Sequence, residues 1–251
     1  MIMLISNYLS RARDIKAQQN FNEFYTRYFS RHLSCYLTSF FSFTVISPNI
    51  VTLLMIFSGI LGSLITLFSS LNMIIVGSLF MVLLNILDAS DGELARYKNQ
   101  TSNNGDYLDR IGHYITNSLY FLCIGISIFI ITDNVIYIYI AILLEVSYTL
   151  DELLRDLLVT CGVVNDKIKS RKIIKKETKI HIFKKNKYIN NLLIIFFSNL
   201  GFFHLSLILG VLDKYFFSNL YFLKIYFILF SVLTFLKLLV RVFLIQKTYF
   251  N

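Results

Sequence analysis

Carboxylate and imidazole side chains recur at helical spacing between residues 88 and 113, in a stretch bordered by long apolar blocks. Asp88 and Asp91 are three residues apart and share one face of a helix, while Asp109 and His113, four apart, share one face of the next. Ionisable side chains are costly in hydrocarbon, so chemistry explains them better than solubility does. Carboxylates are preferred ligands of Mg²⁺ and Mn²⁺, which substrate phosphates often complete. The spacing therefore predicts a divalent-metal site for a phosphate-containing substrate.

Small residues accompany these acids. Gly92, Ala95 and Gly105 let a ligand or a neighbouring helix come close. Two antiparallel helices joined by a short polar linker can turn their acidic faces toward each other. In the alternative interpretation, the acids pair with Arg96 and Arg110 only to hold the helices together. Three acids on two registered faces favour the metal site.

The composition indicates a membrane protein. Of the 251 residues, 56% are hydrophobic and only 16% are charged, against roughly 25% in soluble domains. The mean hydropathy is +0.63, and the apolar residues fall into blocks rather than being scattered. A soluble α/β protein is therefore excluded.

The net charge of +9 comes mostly from residues 167–187, which hold ten Lys or Arg residues against the single acid Glu177. Beside a membrane span, such a run marks the cytoplasmic face and contacts anionic headgroups, so we expect no nucleic-acid partner. The three cysteines, Cys35, Cys123 and Cys161, are far apart and form no CxxC. They support neither a disulfide framework nor a cysteine metal site.

The apolar blocks predict an all-α membrane protein with six transmembrane helices, both termini being cytoplasmic by the positive-inside rule. We expect residues 1–45 to form an N-terminal interfacial segment, with an amphipathic helix over 9–33, and residues 46–251 to form the six-helix membrane domain. The expected spans are 48–68, 73 to beyond Arg96, 106–131, 135–164, 190–212 and 220–245.

Two further acidic residues, Glu93 and Asp106, lie beside the motif acids in the sequence. On ideal helices they point away from the metal face.

The polar stretch resembles the signature of the CDP-alcohol phosphotransferase (CDP-alcohol phosphatidyltransferase) family, D-x2-D-G-x2-A-R-x8-G-x3-D-x3-D. One position differs from this signature: His113 stands where the family has its final Asp. The start of the first span, Pro48-Asn49-x-x-Thr52, is also similar to the family, and so are the six spans. The seven matching positions are Asp88, Asp91, Gly92, Ala95, Arg96, Gly105 and Asp109.

The resemblance implies a mechanism. The first three acids hold a pair of divalent ions, Mg²⁺ or Mn²⁺, and the last acid joins that site and acts as the base. The base takes a proton from an acceptor hydroxyl, whose oxygen attacks the phosphorus of a CDP-alcohol while CMP leaves. Imidazole can accept a proton near pH 7 or bind a metal. Three interpretations stay open: His113 as the base, an active enzyme with another base, and an inactive homologue.

The resemblance also implies binding residues. Asn49 and Thr52 are expected to reach the nucleotide, unless they serve only to begin their helix. Arg155, beside Asp151 and Glu152, is expected either to bind an acceptor phosphate or to form an internal ion pair. The motif positions expected to bind CDP and its phosphates are Gly92, Ala95, Arg96 and Gly105.

The function expected from these features is transfer of a substituted phosphate group from a CDP-alcohol to a hydroxyl acceptor, one of the two being a lipid. The resemblance implies a homodimer, and we expect a multi-pass protein of the cell membrane with its active site facing the cytosol. The alternative is a degenerate homologue that binds metal or nucleotide or serves as a partner subunit. A cation transporter is disfavoured because the acids cluster at one face of the membrane.

Overall fold

The structure, a computed structural model, describes residues 10–12, 14–15, 30–160, 199–216 and 220–249. These residues contain helices and no strand, which confirms the all-α prediction for the described part of the chain. Residues 10–12 and 14–15 are helical. The longer helices are α1 (Ser30–Ser42), α2 (Pro48–Thr66), α3 (Leu71–Tyr97), α4 (Asn103–Thr132), α5 (Ile136–Thr160), α6 (Asn199–Phe216) and α7 (Tyr221–Tyr249).

Four of these helices are long and apolar enough to cross a membrane, namely α2, α3, α4 and residues 221–243 of α7. The third helix continues through the polar residues to Tyr97, as the sequence predicts. The predicted spans 135–164 and 190–212 correspond to α5 and α6, which are not among the four. Parts of both spans, and the whole basic segment 167–187, lie outside the described residues.

Helix α2 lies between α3 and α4 and packs against both, whereas α3 and α4 contact each other far less. Glycines permit this close packing. A Cβ on Gly62 would lie 2.8 Å from the carbonyl oxygen of Gly77 on α3, and one on Gly59 would lie 2.7 Å from Cβ of Thr116 on α4. Small residues at helix interfaces let backbones approach in this way within a bilayer. The chain thus inserts α2 between the two helices that carry the motif.

Buried hydroxyl groups join the helices deeper in the bundle. The Tyr120 hydroxyl of α4 lies 2.8 Å from Ser78 Oγ of α3 and 3.0 Å from Ser206 Oγ of α6. Hydrogen bonds between helices are favourable where lipid offers no other partner. Together with the contacts of α2, they set the register of α3 relative to α4.

The predicted amphipathic helix over 9–33 lies partly outside the described residues, and the helix that begins at Ser30 continues to Ser42. The chain then bends before Ser47, whose extended backbone (φ −80°, ψ 157°) precedes Pro48 at the first position of α2. Proline disfavours helical geometry in the residue before it, which separates α1 from α2. Helix α1 packs against α3. Cys35 and Cys123 are buried free thiols.

Candidate active site

Three helix ends meet at the candidate site: the N-termini of α2 and α4 and the C-terminus of α3. After α3, Asn99 adopts a left-handed conformation (φ 54°) and the Gln100 N–H donates to the Ala95 carbonyl at 2.8 Å, which reverses the chain. Ser102 then caps α4, because its Oγ accepts from the Gly105 N–H at 3.1 Å. The short polar linker thereby brings the first turn of α4 back to the last turns of α3.

The carboxylate–imidazole cluster comprises Asp88 of α3 and Asp109 and His113 of α4. His113 Nε2 lies 3.3 Å from Asp88 Oδ1 and 3.4 Å from Asp109 Oδ1. One ligand atom from each residue lies within 4.8 Å of the others. All three side chains are about one-third exposed, so small ligands can reach them. The helical spacing predicted this convergence, although α2 separates the two helices over much of their length.

Asp91 lies outside that cluster and contacts α2 instead. The Thr52 hydroxyl donates to Asp91 Oδ2 at 2.7 Å, and both residues are more than 90% buried. A hydrogen bond to a buried carboxylate offsets part of the cost of removing its charge from water. Thr52 therefore orients the second motif acid, a role that the sequence alone did not reveal.

An open cleft lies at this end of the bundle, with about 540 Å³ of empty space that includes open solvent. All six residues predicted to bind CDP line it, as do Asp91 and Asp109. Asp109 therefore belongs to both the cleft and the carboxylate–imidazole cluster. The lining residues are Pro48, Asn49, Thr52, Asp91, Gly92, Ala95, Arg96, Gln100, Thr101, Ser102, Gly105, Asp106 and Asp109.

Sequence reasoning did not assign five of the lining residues to the site: Pro48 at the start of α2, and Gln100, Thr101, Ser102 and Asp106 in the linker and the start of α4. Asp106, which is expected to point away from the metal face, lines the cleft but is not one of the clustered ligand residues. The first turn of α4 meets the cleft end-on, so residues on several sides of that turn line it. The polar, turn-forming composition of the linker could have indicated its position, but not its contact with the cleft.

The cleft is suited to anions. Pro48 and Asn49 lie at the start of α2, and Ser102 and Gly105 lie at the start of α4, so the positive ends of two helix dipoles border the cleft. The guanidinium of Arg96 lines the same space. Phosphate groups bind readily at helix N-termini and to arginine. A Cβ at position 105 would lie 3.2 Å from Asn49 Oδ1, so glycine there keeps this entrance open.

The alternative in which the motif acids only brace the helices finds no support among the described residues. Arg110 pairs instead with Asp156 of α5 at 3.0 Å, and Tyr114 donates to the same carboxylate at 3.1 Å. In the described part of the chain, no ion pair joins Arg96 to a carboxylate. Arg155 pairs with Glu152 and does not line the cleft, which matches the internal-ion-pair interpretation.

The family model for CDP-alcohol phosphatidyltransferase matches residues 45–243, which is most of the chain. The protein belongs to that family, and the resemblance read from the motif is confirmed. Among curated proteins, none matches the chain.

Proposed function

We propose that this protein is a membrane transferase that moves a substituted phosphate group from a CDP-alcohol to a hydroxyl acceptor and releases CMP. Membership of the family gives the class of reaction. The observation that carries the proposal is the meeting of the carboxylate–imidazole cluster with a phosphate-suited cleft through one shared residue, Asp109.

The donor set fits divalent ions. Asp88, Asp109 and His113 present converging ligand atoms, and the buried Oδ1 of Asp109 accepts no hydrogen bond from any residue that the structure describes. We assign Mg²⁺ or Mn²⁺, two ions by the family resemblance, to Asp88, Asp91 and Asp109, with His113 beside them as the base. When bound, such ions neutralise charge on the diphosphate and on the departing phosphate.

The remaining lining residues hold the CDP group. Arg96 and the N-terminal amides of α2 and α4 bind the phosphates, because positive partial charge lies at both helix starts. Asn49 contacts the nucleotide beside Gly105, where the absence of a side chain leaves room. Thr52 keeps the Asp91 carboxylate turned toward the cleft.

His113 is the base. Its Nε2–H donates toward Asp88 Oδ1, which leaves Nδ1 to take the proton of the acceptor hydroxyl. The acceptor oxygen forms a bond to phosphorus as the bond between phosphorus and the CMP oxygen breaks. The neighbouring carboxylates stabilise the imidazolium that results, as a carboxylate does for histidine in hydrolase triads.

The proposed orientation of the protein in the membrane follows from its charge distribution. Six spans place the cleft, both termini and the basic segment on the cytosolic side of the cell membrane, where soluble CDP compounds can reach it. Either the CDP compound or the acceptor is the lipid, and the protein works as a homodimer, as the family resemblance implies. Its role is phospholipid or lipid-linked headgroup synthesis.

Release of CMP tests the proposal. We expect the purified protein in liposomes to release CMP from at least one of a panel of CDP-alcohols, only with Mg²⁺ or Mn²⁺ and a hydroxyl acceptor. Asp91→Ala should abolish this release, while Ser58→Ala, which removes a bond to the Phe80 carbonyl far from the motif, should not. Appreciable metal-dependent turnover by Asp91→Ala would overturn the scheme.

A different result would favour the degenerate alternative. A protein that releases no CMP from any compound of the panel, yet is stabilised against heat by divalent ions or by CMP, is a binding protein or a partner subunit. This alternative is tested because His113 stands where the family signature has an acid.

A further inference from the structure

A buried carboxylate lies on α3 but faces away from the cleft. Glu93 is 5% exposed and accepts hydrogen bonds from Ser34 Oγ at 2.7 Å and from Thr38 Oγ1 at 2.9 Å. Both hydroxyls belong to α1 and are fully buried. Two residues along a helix correspond to a turn of about 200°, so Glu93 and Asp91 lie on opposite sides of α3. One side of this helix segment therefore meets the cleft, and the other holds α1.

Burying a carboxylate at this contact costs more free energy than packing α1 against α3 would require. A carboxylate is removed from water only at a penalty that its hydrogen bonds must offset, and an apolar pair would attach α1 to α3 at least as well. Polar groups do supply register, because sliding one helix along the other leaves them unpaired. Glu93 thus fixes where α1 sits on α3 and not merely that it is attached.

A second contact continues from the end of α1. Lys98, which caps α3, donates through Nζ to the carbonyls of Thr44 at 3.0 Å and Ile46 at 2.8 Å. These carbonyls lie in the segment between α1 and α2, eight and six residues before Thr52, which bonds Asp91. The chain from α1 to the start of α2 therefore contacts the last turns of α3 at three places: at Glu93 on the side away from the cleft, at Lys98 at the end of the helix, and at Asp91 beside the cleft.

We propose that this N-terminal segment, residues 34–52, is a brace for the site, and that Glu93 and Lys98 are positioning residues for Asp91. The brace holds the last turns of α3 against α2, so that Asp91 stays at the cleft in the geometry its ligand needs. Its part in ligand binding rests on the proposed function, whereas its part in holding α3 does not.

The experiment compares variants that break the brace with one that does not. Glu93→Ala and the double variant S34A/T38V remove the hydrogen bonds between the Glu93 carboxylate and the Ser34 and Thr38 hydroxyls, and Glu93→Gln keeps one acceptor oxygen. Ser58→Ala is the matched control, because Ser58 is a buried hydroxyl that joins α2 to α3 through the Phe80 carbonyl, away from the site. Each protein is examined at full length in detergent.

Two readouts are taken. The first is amide hydrogen exchange of residues 88–97 without metal, which should become several-fold faster in Glu93→Ala and S34A/T38V and stay unchanged in the control. The second is the Mn²⁺ concentration that gives half of the maximal thermal stabilisation. It should rise about tenfold in Glu93→Ala, as expected for loss of buried bonds to a charged group, and less in Glu93→Gln.

Faster exchange in the brace variants, but not in the control, supports the brace. This holds even if no metal stabilises the wild-type protein, because that result counts only against the proposed function. Unchanged exchange in both brace variants overturns the brace. Faster exchange with an unchanged Mn²⁺ midpoint overturns the positioning role of Glu93 and leaves it a structural contact.

Discussion

His113 occupies the position where the family signature has its final aspartate, and its Nε2 lies between two carboxylate oxygens. An imidazole in this place can remove a proton, but it brings no negative charge to hold a metal. If it bound the ion, its nitrogen would also shift the preference toward later divalent ions than carboxylates favour. A single residue thus bears on the base, on the charge of the site and on the choice of ion.

Substitution of His113 tests these roles. We expect His113→Ala to lower the rate of CMP release by roughly 10²- to 10⁴-fold, the usual contribution of a general base. His113→Asp should retain activity and should shift the preference from Mn²⁺ toward Mg²⁺, measured as the ratio of rates with the two ions. His32→Ala, on an exposed part of α1, serves as the control. A His113→Ala protein with near wild-type rates would show that another group is the base.

At the scale of elements, α2 is the helix that places the site. It contributes Thr52 to Asp91 and Asn49 to the cleft, and it packs far more closely against α3 and against α4 than these two helices pack against each other. Gly112 of α4 lies close against it. A Cβ there would lie 2.7 Å from Ile56 Cγ1 and 2.8 Å from Met55 Cε.

Gly112→Ala should therefore force α4 away from α2. We expect a loss of about 1–3 kcal/mol in the free energy of unfolding, typical of overpacking, and lower CMP release because His113 is the next residue. Thermal unfolding in detergent and the CMP assay measure the two effects. Gly210→Ala is the control, since its added Cβ would lie no closer than 3.2 Å to Ile75 Cγ1. Equal stability of the two variants would contradict the close approach of α4 and α2.

At the scale of the whole molecule, the distribution of charge sets orientation. Basic residues concentrate in 167–187 and at the ends of the chain, and the links after α2 and α4 hold none. Because orientation follows Lys and Arg in short loops, we propose that those two links lie on the outer side and the cleft on the cytosolic side.

Cysteine labelling with a membrane-impermeant maleimide tests this orientation in a background where Cys161 is serine. We expect Asn72→Cys and Asn134→Cys to react in intact cells, and Asn104→Cys to react only after the membrane is opened. The three positions are exposed, and Cys35 and Cys123 are buried. Labelling of Asn104→Cys in intact cells would place the cleft on the outer side and contradict the six-span arrangement.

Much of the candidate site was predictable because its pattern is local. The intervals between Asp88 and Asp91 and between Asp109 and His113 place each pair on one helix face, and the polar linker is too short to let the two helix ends separate. The seven motif positions were enough to indicate the family that the whole-chain comparison confirms. The helical class followed equally directly from the long apolar blocks.

The tertiary structure alone decided which groups surround those acids. Four features join residues that are distant in sequence: the insertion of α2 between α3 and α4, the bond from Thr52 to Asp91, the pairing of Arg110 with Asp156 and the contact of Glu93 with α1. Periodicity fixes the face on which a side chain lies, but not the helix that covers that face, because packing depends on the shapes of all the helices together. The sequence by itself therefore determined the motif residues and the helices that carry them, and the packing decided what holds each of them in place.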